Sequence, residues 1–380
     1  MYSKILVSLC VFFLSLNLVF ASEKDILNIS SKNVVAMEVS TGRVLFSKKH
    51  MEKTKIASTT KIMTCIIALE NCSLDEMCKI SKKAAGIGGS TVGLKSGTEV
   101  KLKSLLYGLM LESGNDCAIA IAEHISGSSE EFATVMNEKA KLLGAKHTKY
   151  TNPHGLDTEE NCCTAYDLAL ITRYATQNEE FNKIISTESI TLDFAGVSKY
   201  LSNTNRLLRS LDHCDGGKTG FTNGAMYCLM MTGSYNGMRV IVIVLGAPSS
   251  DIRFSDGKKV MNYCLENYTL TDISDIMRWY IDIPVYKGNI KNYVKNIQDT
   301  KILPLKEGEK ESIYIKQSIL PIINPPQIKG FCIGYISMHI GEECIYTKDV
   351  YLEENIYKNT VLDYIKMGIK TMFELELKLF

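Results

Sequence analysis

Lys55-Ile56-Ala57-Ser58-Thr59-Thr60-Lys61-Ile62-Met63-Thr64 reads as the opening of a helix that starts at Ser58. Behind it Ile62, Met63, Ile66, Ile67 and Leu69 recur at helical spacing, an apolar stripe that needs a surface to cover it. Upstream, residues 34–39 and 44–46 flank the turn Ser40-Thr41-Gly42-Arg43, which predicts a β-hairpin. Downstream, helices are expected over 105–111, 116–125 and 165–174. Another starts behind the capping pair Ser128 and Glu131 and stops at Gly144. The pattern then turns β-rich. Residues 225–232 and 238–245 read as two strands joined through Gly233-Ser234-Tyr235-Asn236-Gly237, and 252–265 as a closing helix. Strands at both ends with helices between them imply an α+β domain built on one antiparallel sheet.

From about residue 275 the chain changes to short β runs with turn signals, at 281–285, 293–294, 301–303, 312–315, 330–338 and 343–346. They predict a small all-β domain over 275–358. The tail, 359–380, returns to helix with Leu362, Ile365, Ile369, Met372 and Phe373 on one side. Such a stripe ordinarily packs on protein; the sharper expectation is contact with a membrane surface. At the other end Lys4 precedes an apolar run over 5–20, then small Ala21 and polar Ser22-Glu23-Lys24-Asp25. That order describes a signal peptide over 1–21 and an exported protein. The catalytic candidates fall in the intervening 22–270.

Composition excludes several classes. Hydrophobic residues at 46% and charged residues at 22% make this an ordinary globular chain rather than a disordered one. Lys and Arg number 43 against 42 Asp and Glu, so no basic face invites nucleic acid. Of twelve cysteines, Cys10 lies in the expected leader, and the odd remainder cannot all pair. There is no CxxC, and the six His are too scattered in sequence to complete a zinc set. No metal or cofactor is expected.

Three short motifs carry chemistry. Ser58 and Lys61, three apart at a helix start, share a face, so a neutral Lys amine can take the Ser proton and make the oxygen a nucleophile. Ser113-Gly114-Asn115 places a hydroxyl and an amide between two apolar helices; its bland reading is N-cap chemistry for the next helix. Lys218-Thr219-Gly220, after Asp215-Gly216-Gly217, puts a cation and a hydroxyl on a strand edge, where they can hold a carboxylate. The first two recur by chance: Ser255-Asp256-Gly257-Lys258 repeats the first spacing at what reads as a solvated helix start, and Ser234-Tyr235-Asn236 repeats the second, while a lone Lys-Thr-Gly is ordinarily a solvated turn.

The ordered set is more specific than its parts. Ser-x-x-Lys at 58, Ser-x-Asn at 113 and Lys-Thr-Gly at 218 form the active-serine signature of penicillin-binding proteins and serine β-lactamases. The surrounding residues, 55–64, 109–116 and 215–222, resemble the low-molecular-weight D-alanyl-D-alanine carboxypeptidases of the S11 peptidase family. Asn152-Pro153-His154-Gly155-Leu156-Asp157 and Ala165-Tyr166-Asp167-Leu168 are similar to that family too.

The resemblance implies a β-lactamase/penicillin-binding-protein-like transpeptidase fold, an antiparallel sheet with helices, followed by the small β domain. It implies an enzyme that removes the terminal D-alanine from peptidoglycan stem peptides through an acyl-enzyme on Ser58, with β-lactam antibiotics as inhibitors. Lys61 is then the base, Ser113 a proton relay and Asn115 the residue that orients Lys61 and the substrate amide. Lys218 and Thr219 receive the terminal carboxylate, assisted by Arg253, with Gly220 letting the backbone approach it, and the backbone N–H groups of Ser58 and Phe221 form the oxyanion hole. Alternatives on the same scaffold are D,D-endopeptidase or transpeptidase activity, then a β-lactamase using Glu159 or Glu160. A cell-wall binding protein without turnover is the alternative from another class.

Overall fold

The computed structural model describes residues 27–376, so the expected signal peptide over 1–21 lies outside the described residues. The chain divides into two compact units, with the boundary after Asn267.

In the first unit the elements run β1 (Asn33–Glu38), β2 (Val44–Lys48), α1 (Lys61–Asn71), β3 (Met77–Lys79), α2 (Lys82–Gly86), β4 (Glu99–Lys101), α3 (Leu102–Met110), α4 (Asn115–Ser126), α5 (Ser129–Leu142), α6 (Ala165–Ala175), α7 (Glu179–Ser186), β5 (Ser189–Phe194), β6 (Val197–Ser202), β7 (Cys214–Thr222), β8 (Met226–Tyr235), β9 (Met238–Ala247) and α8 (Ser250–Asn267). Five strands form an antiparallel sheet in the order β2-β1-β9-β8-β7, so the first strands of the unit pair with its last. β3–β4 and β5–β6 are separate two-stranded ribbons.

Both faces of the sheet are covered, which explains why β1 and β9 are almost continuously apolar. Val35, Met37, Ile241, Ile243 and Leu245 join Ile62, Met63 and Ile66 of α1 in one core. The alternate residues face α8: a side chain at Gly257 would touch Leu229, Met231 and Val244. The β8–β9 connection is tighter than expected. Gly233, Ser234 and Tyr235 continue the ladder, and Asn236-Gly237 alone turns the chain, both with positive φ (48° and 80°).

Local chemistry sets the helix starts. Ser128 accepts the Glu131 N–H ahead of α5, and Thr164 accepts the Asp167 N–H ahead of α6. Two expectations are corrected. Ser58 sits not in the α-helix but in a 3₁₀ turn, Ala57–Thr60, that leads into α1 at Lys61. Ser255-Asp256-Gly257-Lys258 is not a solvated helix start; it lies inside α8. There the buried Asp256 carboxylate accepts the N–H groups of Ser30 and Ser31 and the Ser31 hydroxyl, fastening the chain's entry into β1.

The second unit comprises β10 (Thr269–Asp272), β11 (Arg278–Pro284), β12 (Asn292–Gln298), β13 (Ile302–Leu305), β14 (Tyr314–Ile319), β15 (Cys332–Ile340), β16 (Glu343–Tyr351) and the helix α9 (Val361–Glu376). β10 pairs β13, β11 pairs β12, and β14-β15-β16 form a three-stranded antiparallel sheet. Strict alternation along β11 buries Trp279, Ile281 and Ile283 in a core shared with Ile333, Ile336 and Val350. On α9, Leu362, Ile365 and Ile369 are exposed.

Candidate active site

The Ser58 turn is held from two sides by backbone that comes unusually close. Loop 152–157 passes beneath it at Gly155, where φ is +86° and a Cβ would stand 1.9 Å from the Ala57 carbonyl oxygen. β7 passes beside it at Gly220, where a Cβ would lie 2.9 Å from the Ser58 nitrogen. No larger residue fits either position without moving the turn. β7 is also the edge of the sheet, so one side of its backbone is open to a ligand.

Between these supports lies Lys61, the first residue of α1 and fully buried. Its Nζ is 2.8 Å from Ser58 Oγ, 2.7 Å from Asn115 Oδ1 and 2.7 Å from the His154 carbonyl oxygen. Burial pushes this amine well below the ordinary lysine range, and the Lys218 charge pushes the same way.

Each partner is itself fixed. Asn115 donates through Nδ2 to the Gly88 carbonyl, which leaves Oδ1 facing Lys61. Asp116 beside it accepts the N–H groups of Val92, Gly93 and Leu94, tying the glycine-containing loop to the start of α4. Asn152 Oδ1 accepts the Gly155 N–H, Thr64 Oγ1 donates to the Pro153 carbonyl, and His154 Nδ1 accepts the Leu156 N–H. Together they shape a turn that aims the His154 carbonyl at Lys61. Burial, then the Lys61 charge, holds the His154 imidazole down at about 3. His154 therefore stays neutral and acts through its backbone, a contribution that no side-chain inventory reveals. The only advance sign of it was the Asn152–Asp157 stretch, whose family likeness came with no role.

Ser113 does not cap α4. The N-cap is Gly114, without a side-chain bond, and Ser113 itself is buried with φ at +64°. A non-glycine residue held in the left-handed region is strained, and such strain clusters at functional sites. On β7, Lys218 is fully buried and donates to the Thr219 carbonyl at 2.8 Å. Burial, then the neighbouring Arg253, lowers its amine to about 7. Thr219 Oγ1 is 2.7 Å from Thr204 Oγ1, a partner the motif did not announce. Arg253 Nη1 donates to the Gly220 carbonyl at 3.1 Å, so it braces β7. The Phe221 side chain is half exposed, its ring 4.5 Å from that of Tyr227. Glu160 forms an exposed ion pair with Lys149 at 2.8 Å.

A model of the D-alanyl-D-alanine carboxypeptidase family, peptidase S11, matches residues 19–249. The chain belongs to this family. The D-alanyl-D-alanine carboxypeptidase DacF of Bacillus subtilis is 32% identical over 357 residues, covering 90% of this chain and 91% of the relative. Among solved structures, penicillin binding protein 5 of Haemophilus influenzae superposes with a TM-score of 0.73 at 25% identity, over 87% of this chain and 98% of that one. A Streptomyces DD-transpeptidase superposes with a TM-score of 0.60 at 33% identity, over 62% of this chain and 97% of that one. The α+β penicillin-binding-protein fold implied by the three motifs is thus the fold observed. As an S11 member the chain is a serine-type D-Ala-D-Ala carboxypeptidase, and binding of β-lactams goes with the family.

Proposed function

We propose that this S11 enzyme works through an acyl-enzyme on Ser58, with catalysis confined to residues 22–270. The observation that carries the reading is the environment of Lys61 Nζ: three polar neighbours and no water-facing surface. A neutral amine has two N–H groups and one lone pair. The Asn115 and His154 oxygens accept the two N–H groups, which leaves the lone pair for the Ser58 O–H.

Ser58 Oγ attacks the carbonyl carbon of the penultimate D-alanine while its proton passes to Lys61. The negative charge that develops on the carbonyl oxygen is met by the N–H groups of Ser58 and Phe221, on the turn and strand that Gly220 allows to approach. Ser113 gives its proton to the departing D-alanine nitrogen and takes the proton from Lys61 in exchange, so Lys61 is neutral again. Water then adds to the acyl carbon, and its proton restores the Ser58 hydroxyl. Lys218 and Thr219 hold the terminal carboxylate, with Gly220 and Arg253 keeping the strand in place. The proximity of a second buried cation supports this: Lys218 favours an anionic ligand and keeps Lys61 deprotonated at once.

The test is D-alanine release from a synthetic peptide ending in D-Ala-D-Ala, alongside penicillin labelling, for the full chain and for Ser58→Ala. Release and labelling should both vanish in the variant. Labelling that persists in Ser58→Ala removes the nucleophile assignment. Labelling without D-alanine release in the unsubstituted enzyme points to the transpeptidase or endopeptidase alternative.

The peptidoglycan substrate places the activity outside the cytoplasm. Export through a signal peptide over 1–21 and contact of α9 with a membrane surface complete the reading. The exposed Leu362, Ile365 and Ile369 support the latter. No described helix is long and apolar enough to cross a membrane. Equal recovery on lipid vesicles of the full chain and a chain ending at residue 359 would remove the membrane contact.

A further inference from the structure

Far from the nucleophile, three side chains of different chemistry converge. Cys72 caps the C-terminal end of α1, Glu76 lies just before β3, and His124 is in the last turn of α4. Their Sγ, carboxylate oxygen and ring nitrogen all lie within 4.8 Å of one another. His124 Nε2 is 3.0 Å from Glu76 Oε2, and the Cys72 thiol lies within 4.8 Å of the same carboxylate. Partial burial, then the charge of that carboxylate, pushes the Cys72 thiol pKa up. The other Glu76 oxygen accepts the Ser73 N–H, so the carboxylate is oriented by its own turn. Sequence spacing kept these residues apart; the fold brings them together.

We propose that Cys72, Glu76 and His124 form a binding site for a zinc-like divalent ion. A thiolate, an imidazole and a carboxylate are the ligand set such an ion takes, and tetrahedral coordination needs donor atoms about 3.5 Å apart. The observed separations, 3.0 Å between His124 and Glu76 and none above 4.8 Å, are close to that. Binding exchanges the thiol proton for the metal: the S–H bond breaks, a sulfur–metal bond forms, and the proton leaves to solvent. Imidazole binds through Nε2 in its neutral form, and water completes the fourth position.

The placement gives the site a structural consequence. α1 and α4 carry Lys61 and Asn115 as their first residues and two of the metal ligands at their far ends. A metal there clips the two helices together about 16 Å from Lys61, the length of eleven helical residues. It stabilises the folded unit by mass action without touching the reacting groups.

The experiment uses the full chain, reduced and stripped with chelator, titrated with Zn²⁺ alone and with Co²⁺ alone. One equivalent should bind with release of a proton, and the cobalt form should show a sulfur-to-metal charge-transfer band. Both should disappear in Cys72→Ser and weaken at least tenfold in His124→Ala. Because a variant can misfold, the unsubstituted chain is also alkylated with iodoacetamide. Zn²⁺ should slow modification of Cys72 by an order of magnitude while the exposed Cys332 and Cys344 react as before. Undiminished binding in Cys72→Ser, or no protection of Cys72, overturns the site. So does a disulfide from Cys72 to Cys78, the buried thiol of β3 close enough to feel the Cys72 and Glu76 charges.

Discussion

The two units bury different things. The first encloses Lys61, Ser113, Asn115, Asp116, His154, Lys218, Arg253 and Asp256 along with its aliphatic core. In the second, among the described residues, Ser337 is the lone buried polar side chain, and the interior is Trp279, Ile281, Ile333, Ile336 and their neighbours. Burying an amine costs several kcal/mol unless partners replace its water, and no ordinary folding requirement asks for two of them side by side. The first unit therefore holds an arrangement that serves chemistry at some expense of stability. The second follows the in–out alternation that folding alone explains. The difference says where a substitution should cost rate and where it should cost stability.

The largest effect tests the first half of that statement. Lys61→Met keeps the length of the side chain and removes the base. Acylation by penicillin should fall by roughly 10² to 10⁴, the usual range for a general base. Thermal unfolding should show the variant still folded, since a buried amine with a depressed pKa has been exchanged for an apolar chain. A rate loss explained by the unfolded fraction alone would break the contrast.

The complementary change is Ile336→Ala. This residue is 1% exposed in the core of the second unit, and the truncation should cost about 2–5 kcal/mol there. Ser58 labelling should keep its rate at a temperature where the first unit remains folded. Labelling and unfolding measured on the same sample decide the point. If acylation falls with the melting of the second unit, the division of labour between residues 22–270 and 275–358 is lost.

The legibility of the two units differs for the same physical reason. The β runs of the second unit were readable because turn signals separate short apolar stretches, and the Ser58, Ser113 and Lys218 motifs were readable because their chemistry demands side chains of fixed type. The ribbon β5–β6 and the short α7 went unread; α7 offers only Phe181, Ile184 and Ile185 as buried apolar positions. The His154 carbonyl was invisible because every residue has one, and only the turn built by Asn152, Thr64 and Gly155 makes it a ligand of Lys61. The close approaches at Gly155 and Gly220 are tertiary facts, although the Gly220 motif hinted at one. Cys72, Glu76 and His124 stayed unconnected because 48 residues separate the last two.

The smallest effect sharpens the comparison within the first unit, between its two buried lysines. The proposed chemistry needs Lys61 neutral and Lys218 charged. Lys61 loses its proton well below the ordinary range, so the rate should rise as pH increases through its titration. Lys218, lowered to about 7 chiefly by burial, should lose its charge as pH rises past that point, and carboxylate binding goes with it. The product is a bell in kcat/KM whose alkaline side drops about tenfold per pH unit. A bound carboxylate restores the Lys218 proton, so kcat at saturation should lack that limb. Lys218→Arg keeps its charge throughout this range, because a guanidinium does not titrate there. Its kcat/KM should be lower near neutrality, where the larger head fits less well, yet flat on the alkaline side. An alkaline limb unchanged in Lys218→Arg would assign the titration to another group and leave the carboxylate role of Lys218 without its main support.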